Sequence, residues 1–291
     1  VLIDYAEFNL RLAKALHRRG VKVLYFIPPQ MWAWRKGRVR DLRRYVTSVA
    51  SIFPFEEAFY AKHGVRAQFV GHPFCYRPEP HSREKVLTQL GLDPSRPVLA
   101  LLPGSRHSEV ARLLLPMLDA VEILRRGRPG LQCVIPVAAS LDTKELEEIV
   151  AGATDISLVK GGAWEILSAA DVAVVASGTA TVEAALAGVP FVAVYKLARF
   201  TYFCARLLVR GVNSFAMANL IAGRRIVPEL LQDQVTGPNI AQELERYLGD
   251  PLLSNRVRGQ LKGLRDRLSG PDDGSTPGQR VATMLLELCG V

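Results

Sequence analysis

The feature that most constrains the fold is a regular alternation of short apolar segments with amphipathic stretches. The apolar segments have the length of buried strands: Val21–Ile27, Ser48–Phe53, Ala67–Val70, Val98–Leu102, Gln132–Val137, Val172–Ala176 and Pro190–Val194. Helical periodicity follows in the intervening stretches, such as Leu10–Arg19, Glu109–Arg126 and Glu145–Val150. This order predicts βαβ units, and therefore parallel sheets that are covered by helices on both faces.

One proline-rich stretch interrupts this rhythm. Gly71–Arg83 contains three prolines among polar residues and predicts an interdomain linker. Three predicted strands precede it, which is too few for a complete doubly wound domain. We therefore divide the chain into an incomplete N-terminal domain (1–72), a second domain (73–250) and C-terminal helices (251–291). A second flexible stretch, Ser269–Gly278, is expected before a closing helix.

Composition narrows the class of protein. The 291 residues are 49% hydrophobic and 22% charged, as in globular proteins. The four cysteines are dispersed without a C-x-x-C pair, which argues against zinc and disulfides and suits a reducing cytosol. Charged residues interrupt every apolar run before it reaches the length of a membrane span. The net charge of +9 is compatible with nucleic acid, an anionic membrane or a phosphorylated substrate.

The strongest local motif joins the strand Val98–Leu102 to a helix through Pro103-Gly-Ser-Arg106. The free N–H groups and dipole of a helix that begins after a glycine turn form an anion site. Arg106 adds a guanidinium that can donate to two phosphate oxygens. The motif is therefore a candidate phosphate loop, in which Gly104, Ser105 and Arg106 are the contacts. The same residues also fit a simple turn with a helix cap.

A second motif of this kind follows the strand Val172–Ala176. Ser177, Gly178 and Thr179 form a turn of small residues, and Glu183 lies in the first turns of the helix that follows. A carboxylate at this place can accept hydrogen bonds from both hydroxyls of a ribose. Capping alone also explains one such motif. Two of them at the carboxyl ends of strands favour a nucleotide site.

Two segments combine positive charge with aromatic residues. Trp32 and Trp34 precede a basic run that includes Arg35, Lys36 and Arg38. Such a run usually forms a solvated basic helix face, and the adjacent tryptophans make contact with a lipid headgroup or a sugar phosphate the alternative. Val194–Gly211 has helical periodicity with a basic stripe on an otherwise apolar circumference. That pattern suits a core helix or a helix at an anionic interface.

Several strings in the chain resemble the lipid A disaccharide synthases along its whole length. They include Ile3-Asp4, Pro29–Arg35, Pro54–Glu56, Phe69–Pro73, Leu101–Arg106, Ala176–Glu183, Asn219–Arg224 and Pro228–Gln232. The resemblance implies an α/β fold with two Rossmann-like domains of the glycosyltransferase-B type, the first one incomplete. The family's glycine-rich opening segment has no counterpart before Val1, and the chain starts inside an apolar run.

The family's reaction implies an inverting hexosyltransferase of lipid A biosynthesis in a Gram-negative bacterium. It joins UDP-2,3-diacylglucosamine to 2,3-diacylglucosamine-1-phosphate (lipid X) through a β-1′,6 bond and releases UDP. The resemblance implies no cofactor and no metal, because this class holds the pyrophosphate with protein groups. It also implies a cytoplasmic protein at the anionic surface of the inner membrane, and a homodimer is compatible with it.

The resemblance also assigns roles to individual residues. Asp4 matches an acidic position of the acceptor domain that is proposed as the general base. Three further positions, Asn219, Glu229 and Gln232, would line the nucleotide-sugar cleft together with the two motifs above. Phe215-Ala-Met-Ala precedes Asn219 where the family more often has Ser-Leu-Pro. For His72, in the linker motif, we expect a packing or hinge role.

Three alternatives remain open from the sequence. A UDP-N-acetylglucosamine 2-epimerase shares the architecture and the ribose-binding glutamate, although it would not need the Trp-rich basic segment. A non-catalytic nucleotide-sugar binder is the second alternative. A nucleic-acid-binding protein would explain the charge, but the basic residues lie on no recognisable RNA or DNA module, so nucleic acid is not an expected partner.

Overall fold

A computed structural model describes residues 1–31, 38–152, 155–197 and 214–290. The fold is α/β, and the described residues form two compact units. The first unit contains residues 1–77 and 265–290, and the second contains residues 78–197 and 214–264. The division between them falls after Arg77, within the stretch expected to be a linker.

The first unit is built on a four-stranded parallel sheet in the order β1-β2-β3-β4. Its strands are β1 (Leu2–Ile3), β2 (Leu24–Phe26), β3 (Ser48–Ser51) and β4 (Ala67–Phe69). The helices between them are α1 (Ala6–His17), α2 (Val39–Tyr45) and α3 (Pro54–Lys62). A 3-10 turn, Pro73–Tyr76, follows β4.

The second unit carries a six-stranded parallel sheet in the order β10-β9-β8-β5-β6-β7. Its strands are β5 (Val98–Leu102), β6 (Gln132–Val137), β7 (Ile156–Lys160), β8 (Val172–Ala176), β9 (Phe191–Tyr195) and β10 (Glu229–Leu231). The helices are α4 (Arg83–Gln89), α5 (His107–Gly127), α6 (Thr143–Val150), α7 (Ala163–Ala169), α8 (Thr179–Ala187), α9 (Met217–Ala222) and α10 (Gly237–Gly249). Helix α11 (Pro251–Leu268) begins in this unit, and its last turn belongs to the first unit.

Burial explains which strands the sequence predicts well. Every residue of β5, β6 and β8 is buried, and apart from Gln132 at the start of β6 these strands are continuous apolar runs. No apolar segment of the sequence predicts β7 or β10, which are the two edges of the sheet. Both are only partly buried and carry polar residues, so no apolar run marks them. The expected helix Val194–Gly211 is wrong at its start, because Val194 and Tyr195 end β9, and residues 198–213 lie outside the described part.

An aspartate ties the two central strands of the second sheet together at their amino ends. The carboxylate of Asp171, just before β8, accepts the N–H of Val98 at the start of β5 over 2.8 Å. Arg83 donates to the same carboxylate oxygen at 2.9 Å, and Arg258 donates to the Asp171 carbonyl at 2.7 Å. These contacts fix the mutual position of β5 and β8, whose opposite ends form the site described below.

The last helix, α12 (Pro277–Cys289), returns to the first unit. Val281 and Met284 pack against Leu24, Ala50 and Val70 of the first sheet. Arg280, which is 6% exposed, donates from its Nη1 to the carbonyls of Val70 and Ser269 at 2.8 and 3.1 Å. The helix therefore covers the core of this unit through both apolar and polar contacts.

The same arginine orders the segment that the sequence suggested to be flexible. The other end of the Arg280 guanidinium pairs with Asp273 at 2.6 Å, and this hydrogen-bonded pairing lowers the pKa of Asp273 to about 2. Gly71 and Gly270 have φ values of +91° and +79°, and a Cβ at either position would meet backbone atoms or the Arg280 guanidinium at 3.2 Å or less. Hydrogen bonds from Arg280 thus hold Ser269, Pro271 and Asp273 in this stretch, although residues 271–274 are exposed.

His72 has a packing role in this unit. It is 2% exposed, lies against the rings of Phe53 and Phe74, and accepts the N–H of Phe74 through Nδ1 at 3.2 Å. Burial, followed by the charge of Arg77, lowers the pKa of His72 to about 4. The ring is therefore neutral at physiological pH and caps the 3-10 turn as an acceptor.

Replacement of Arg280 tests the importance of this polar closure. We expect Arg280→Met to lower the free energy of unfolding by about 2–4 kcal/mol, because it removes the Arg280 donor from the buried carbonyl of Val70, one of two donors from the carbonyl of Ser269, and the partner of Asp273. Urea denaturation measures the change. Arg11→Met, at an exposed position of α1, is the matched control and should change the free energy by less than about 0.5 kcal/mol. An equal effect of both variants would contradict this account.

Candidate functional site

A cleft of about 370 Å³ opens in the second unit at the carboxyl ends of the sheet strands. From β5 the chain builds β6 and β7 on one side and then returns to build β8, β9 and β10 on the other. The strand order therefore reverses between β5 and β8, and such a switch point leaves a crevice where ligands bind in open α/β sheets. The loops that follow these two strands line the cleft.

The loop after β5 is shaped around a glycine and a glutamate. Gly104 has φ +117°, and a Cβ there would stand 2.4 Å from the carboxylate of Glu109. This carboxylate accepts the N–H of Ser105 at 3.1 Å and pairs with Arg106 Nη1 at 2.8 Å. The side chain of Arg106 is 78% exposed at the start of α5 and belongs to the lining of the cleft.

The loop after β8 also turns through a glycine at the start of α8. Gly178, with φ +144°, is the residue before the helix, and nothing lies within 4 Å of where its Cβ would be. Ser177 Oγ donates to the Phe215 carbonyl at 2.8 Å, which anchors the loop from behind. Thr181 Oγ1 donates to the Gly178 carbonyl and accepts the N–H of Met217. The backbone at Gly178 is thus fixed while its surface stays open.

The cleft brings together most of the predicted contacts. Its lining includes the predicted Gly104, Ser105, Arg106, Ser177, Gly178, Thr179 and Glu183. Helices α5 and α8 both begin at the cleft, so two positive dipole ends and Arg106 favour an anion there. Glu109, which is not among the predicted contacts, also lines the cleft. Its only signal was an acidic residue in the third position of a helix, which is also a common capping pattern.

Three predicted residues lie elsewhere in the second unit. Asn219 is 1% exposed, donates to Glu229 at 2.6 Å and to the Val227 carbonyl, and accepts the N–H groups of Ile226 and Val227. The other oxygen of Glu229 accepts the N–H of Phe215 at 2.7 Å. Asn219 and Glu229 therefore join α9 to the start of β10 and are absent from the lining of the cleft in the described structure.

Gln232 makes a similar backbone contact. Its amide oxygen accepts the N–H of Leu197 at 2.8 Å, and its amide nitrogen donates to the Leu197 carbonyl at 3.4 Å. Gln232 itself has φ +51°, an uncommon conformation for a residue with a side chain. It fixes the backbone just after β9 and is not part of the lining of the cleft either.

Asp4 lies at the carboxyl end of β1 in the first unit, with its side chain exposed. Asp4 and Tyr5 have φ values of +48° and +40°, which is costly for residues with a Cβ. Asn9 and Tyr25, both buried, donate to the Asp4 carbonyl at 2.7 and 2.6 Å. Burial, and then the charge of Asp4, raises the pKa of Tyr25 to about 12. Two buried polar groups therefore hold a strained turn that presents a carboxylate.

The predicted basic segment is described only in part. Trp32, Trp34, Arg35 and Lys36 lie outside the described residues. Arg38 precedes α2 and pairs with Glu7 at 2.7 Å. Three further arginines of α2, Arg40, Arg43 and Arg44, are exposed.

Among the residues that the structure describes, no three His, Cys, Asp or Glu side chains are grouped closely enough to hold a metal ion. In the same part of the chain, every helix is too short or too polar to cross a membrane.

Two parallel-sheet units, with a cleft at the strand-order reversal of the second, define the GT-B class of glycosyltransferases and their epimerase relatives. The structure superposes on MnaA of S. aureus, solved with UDP, with a TM-score of 0.66 at 10% identity, covering 99% of this chain and 74% of that one. A UDP-GlcNAc 2-epimerase of Neisseria meningitidis bound to UDP-GlcNAc gives a TM-score of 0.58 at 10% identity, with 97% and 73% covered. At such identities the likeness concerns the fold alone.

Sequence comparison identifies the family. The model of the lipid-A-disaccharide synthetase family matches residues 1–260. A lipid-A-disaccharide synthase of Myxococcus xanthus is 47% identical over 291 residues, which cover 99% of this chain and 74% of that protein. The enzyme of that name from Geobacter metallireducens is 41% identical over 292 residues, covering 100% and 75%. The chain belongs to the lipid-A-disaccharide synthetase family, and the 2-epimerase alternative is thereby set aside.

Alanine substitutions of the loop glycines test the packing of the cleft. We expect Gly104→Ala to lower the free energy of unfolding by about 2–4 kcal/mol, since strain at positive φ adds to a collision with Glu109. Gly178→Ala, with positive φ but open space, should cost about 1 kcal/mol. Gly127→Ala, in open space at the end of α5, is the control and should be neutral or stabilising. Chemical denaturation gives the ranking, and equal losses at positions 104 and 178 would contradict the described contact.

Proposed function

We propose that the cleft of the second unit binds the UDP part of a nucleotide-sugar donor. In this proposal the loop Gly104–Arg106 and the start of α8 hold the diphosphate, and Glu183 accepts hydrogen bonds from the ribose hydroxyls. The supporting observation is that two helices, each of which begins just after a glycine turn, meet an exposed arginine where the strand order reverses. Glu183 lies on the second turn of α8 and lines the same cleft.

The reaction follows from family membership. The chain is a hexosyltransferase of lipid A disaccharide synthesis, with a nucleotide sugar and a lipid acceptor as substrates. We infer that the donor is UDP-2,3-diacylglucosamine and the acceptor is 2,3-diacylglucosamine-1-phosphate, joined through a β-1′,6 bond with release of UDP. Negative charge then develops on the diphosphate as the bond to the anomeric carbon breaks. Arg106 and the two helix starts stabilise this charge, and such preorganised donors are a major source of catalysis.

Asp4 is our candidate for the general base. In an inverting displacement the acceptor hydroxyl attacks the anomeric carbon as its proton passes to a base. Asp4 offers an exposed carboxylate on a turn that Asn9 and Tyr25 hold in a strained conformation. Strain of this kind is concentrated at functional sites, where surrounding contacts maintain it. This supports a role for Asp4 in which the position of the carboxylate, as well as its charge, serves the reaction.

The acceptor and product carry acyl chains, so we also infer contact with an anionic membrane surface. The exposed arginines of α2, Arg40, Arg43 and Arg44, support this part of the proposal. Each Lys or Arg near such a surface contributes about 1 kcal/mol, and salt screens the contribution.

A ligand series separates the roles of Arg106 and Glu183. We expect Arg106→Ala to weaken binding of UDP and pyrophosphate by about 1.5 kcal/mol, the lower end for a charged hydrogen bond because the side chain is 78% exposed, and to leave uridine unchanged. Glu183→Gln should weaken UDP and uridine and spare pyrophosphate. Calorimetric titration of the three ligands measures these differences.

The control for this series is Arg126→Ala, at an exposed position near the end of α5. It should leave all three affinities unchanged. Unaltered UDP binding in a folded Arg106→Ala variant would remove Arg106 from the site. Equal losses of all three ligands in Glu183→Gln would mean that Glu183 acts on the fold and not on the ribose.

A further inference from the structure

We propose that Glu109 is a positioning residue that sets the direction of the Arg106 guanidinium in the phosphate loop. The proposal rests on the assignment of the cleft to UDP and extends it to a residue that needs no contact with the nucleotide. It concerns binding of the diphosphate portion and leaves the nucleoside portion unaffected.

The two oxygens of the Glu109 carboxylate have different partners in the loop. One accepts the backbone N–H of Ser105 at 3.1 Å, and the other pairs with Arg106 Nη1 at 2.8 Å. The Glu109 side chain is 32% exposed, whereas that of Arg106 is 78% exposed. The more buried member of the pair therefore restrains the more exposed one, which reduces the rotamer freedom that Arg106 would lose on binding an anion.

The backbone of the loop is adapted to this carboxylate. At Gly104 a Cβ would lie 2.8 Å from the Glu109 Cβ and 2.4 Å from its Oε2, and φ is +117°. No residue with a side chain fits this place unless Glu109 moves. The glycine, the backbone N–H of Ser105 and the guanidinium of Arg106 thus all depend on the position of one side chain.

Glu109 is negatively charged, whereas a positively charged side chain is expected beside a diphosphate. A carboxylate that served as a direct ligand contact would repel the phosphate oxygens. Paired with Arg106, however, it consumes one of the five N–H donors of the guanidinium and leaves the rest for phosphate. The arrangement is that of a carboxylate which orients an arginine toward an anion.

The simpler role for Glu109 is capping of α5, since it is the third residue of that helix. Glutamine performs this capping role as well as glutamate, because its amide oxygen can accept the Ser105 N–H. Glutamine cannot form the ion pair with Arg106. The two roles therefore diverge in Glu109→Gln, which should recover the thermal stability lost in Glu109→Ala but not the affinity for UDP.

The experiment measures UDP and uridine affinity of the full chain by calorimetry, with thermal stability recorded in parallel. We expect Glu109→Ala to weaken UDP binding about tenfold and leave uridine binding unchanged. In an Arg106→Ala background the same substitution should change UDP affinity less than about twofold, because residues that act through one another are not additive. Glu122→Ala, on an exposed part of the same helix, controls for loss of a negative charge and should match the unaltered chain.

Three results would overturn the inference while the unaltered chain still binds UDP. They are equal or tighter UDP binding by Glu109→Ala, additive losses in the double variant, and full recovery of UDP affinity by Glu109→Gln. An unaltered chain that fails to bind UDP is a different result. It refutes the proposed function itself, and the inference about Glu109 with it.

Discussion

The reversal of strand order between β5 and β8 is the constraint on which the site depends. Parallel strands end at one edge of the sheet. Because the strand order reverses, the helices after β5 and β8 begin at a common point and run away from it in different directions. Asp171 fixes the two strands at their amino ends by accepting the N–H of Val98. Gly104 and Gly178 have positive φ values, which let the loop after each strand turn directly into a helix. Two helix dipoles converge on one cleft as a consequence.

The first unit uses buried polar groups in a comparable way. Asn9 and Tyr25 both donate hydrogen bonds to the carbonyl of Asp4, and Arg280 donates to the carbonyls that follow β4 and α11. Burying such groups is tolerated only when their hydrogen bonds are made. Each set therefore specifies one backbone conformation, the first at the candidate base and the second at the closure of the unit by α12.

The sequence predicts those parts of the structure that appear in it as apolar runs or as strand-turn-helix motifs. The buried strands β5, β6 and β8 and the loops at Gly104 and Gly178 belong to this group. The edge strands β7 and β10 were missed because half-buried edges need no apolar run. A place for Asn219, Glu229 and Gln232 in the nucleotide-sugar cleft is implied by the resemblance and stays a prediction. In the structure their polar groups bind backbone around β9 and β10, and Asn219 also bonds to Glu229. Glu109 was missed because a helix cap and an arginine partner look alike in sequence.

Amide hydrogen exchange with and without UDP tests the central claim most directly, since it reports on every backbone N–H of the cleft without substitution. The account predicts that UDP slows exchange at residues 104–107 and at residues 178–181, the two loops that begin α5 and α8. The amides of Ile226 and Val227, bonded to buried Asn219, should exchange at the same rate in both states. Slower exchange confined to other parts of the chain, with residues 104–107 and 178–181 unaffected at saturating UDP, would contradict it.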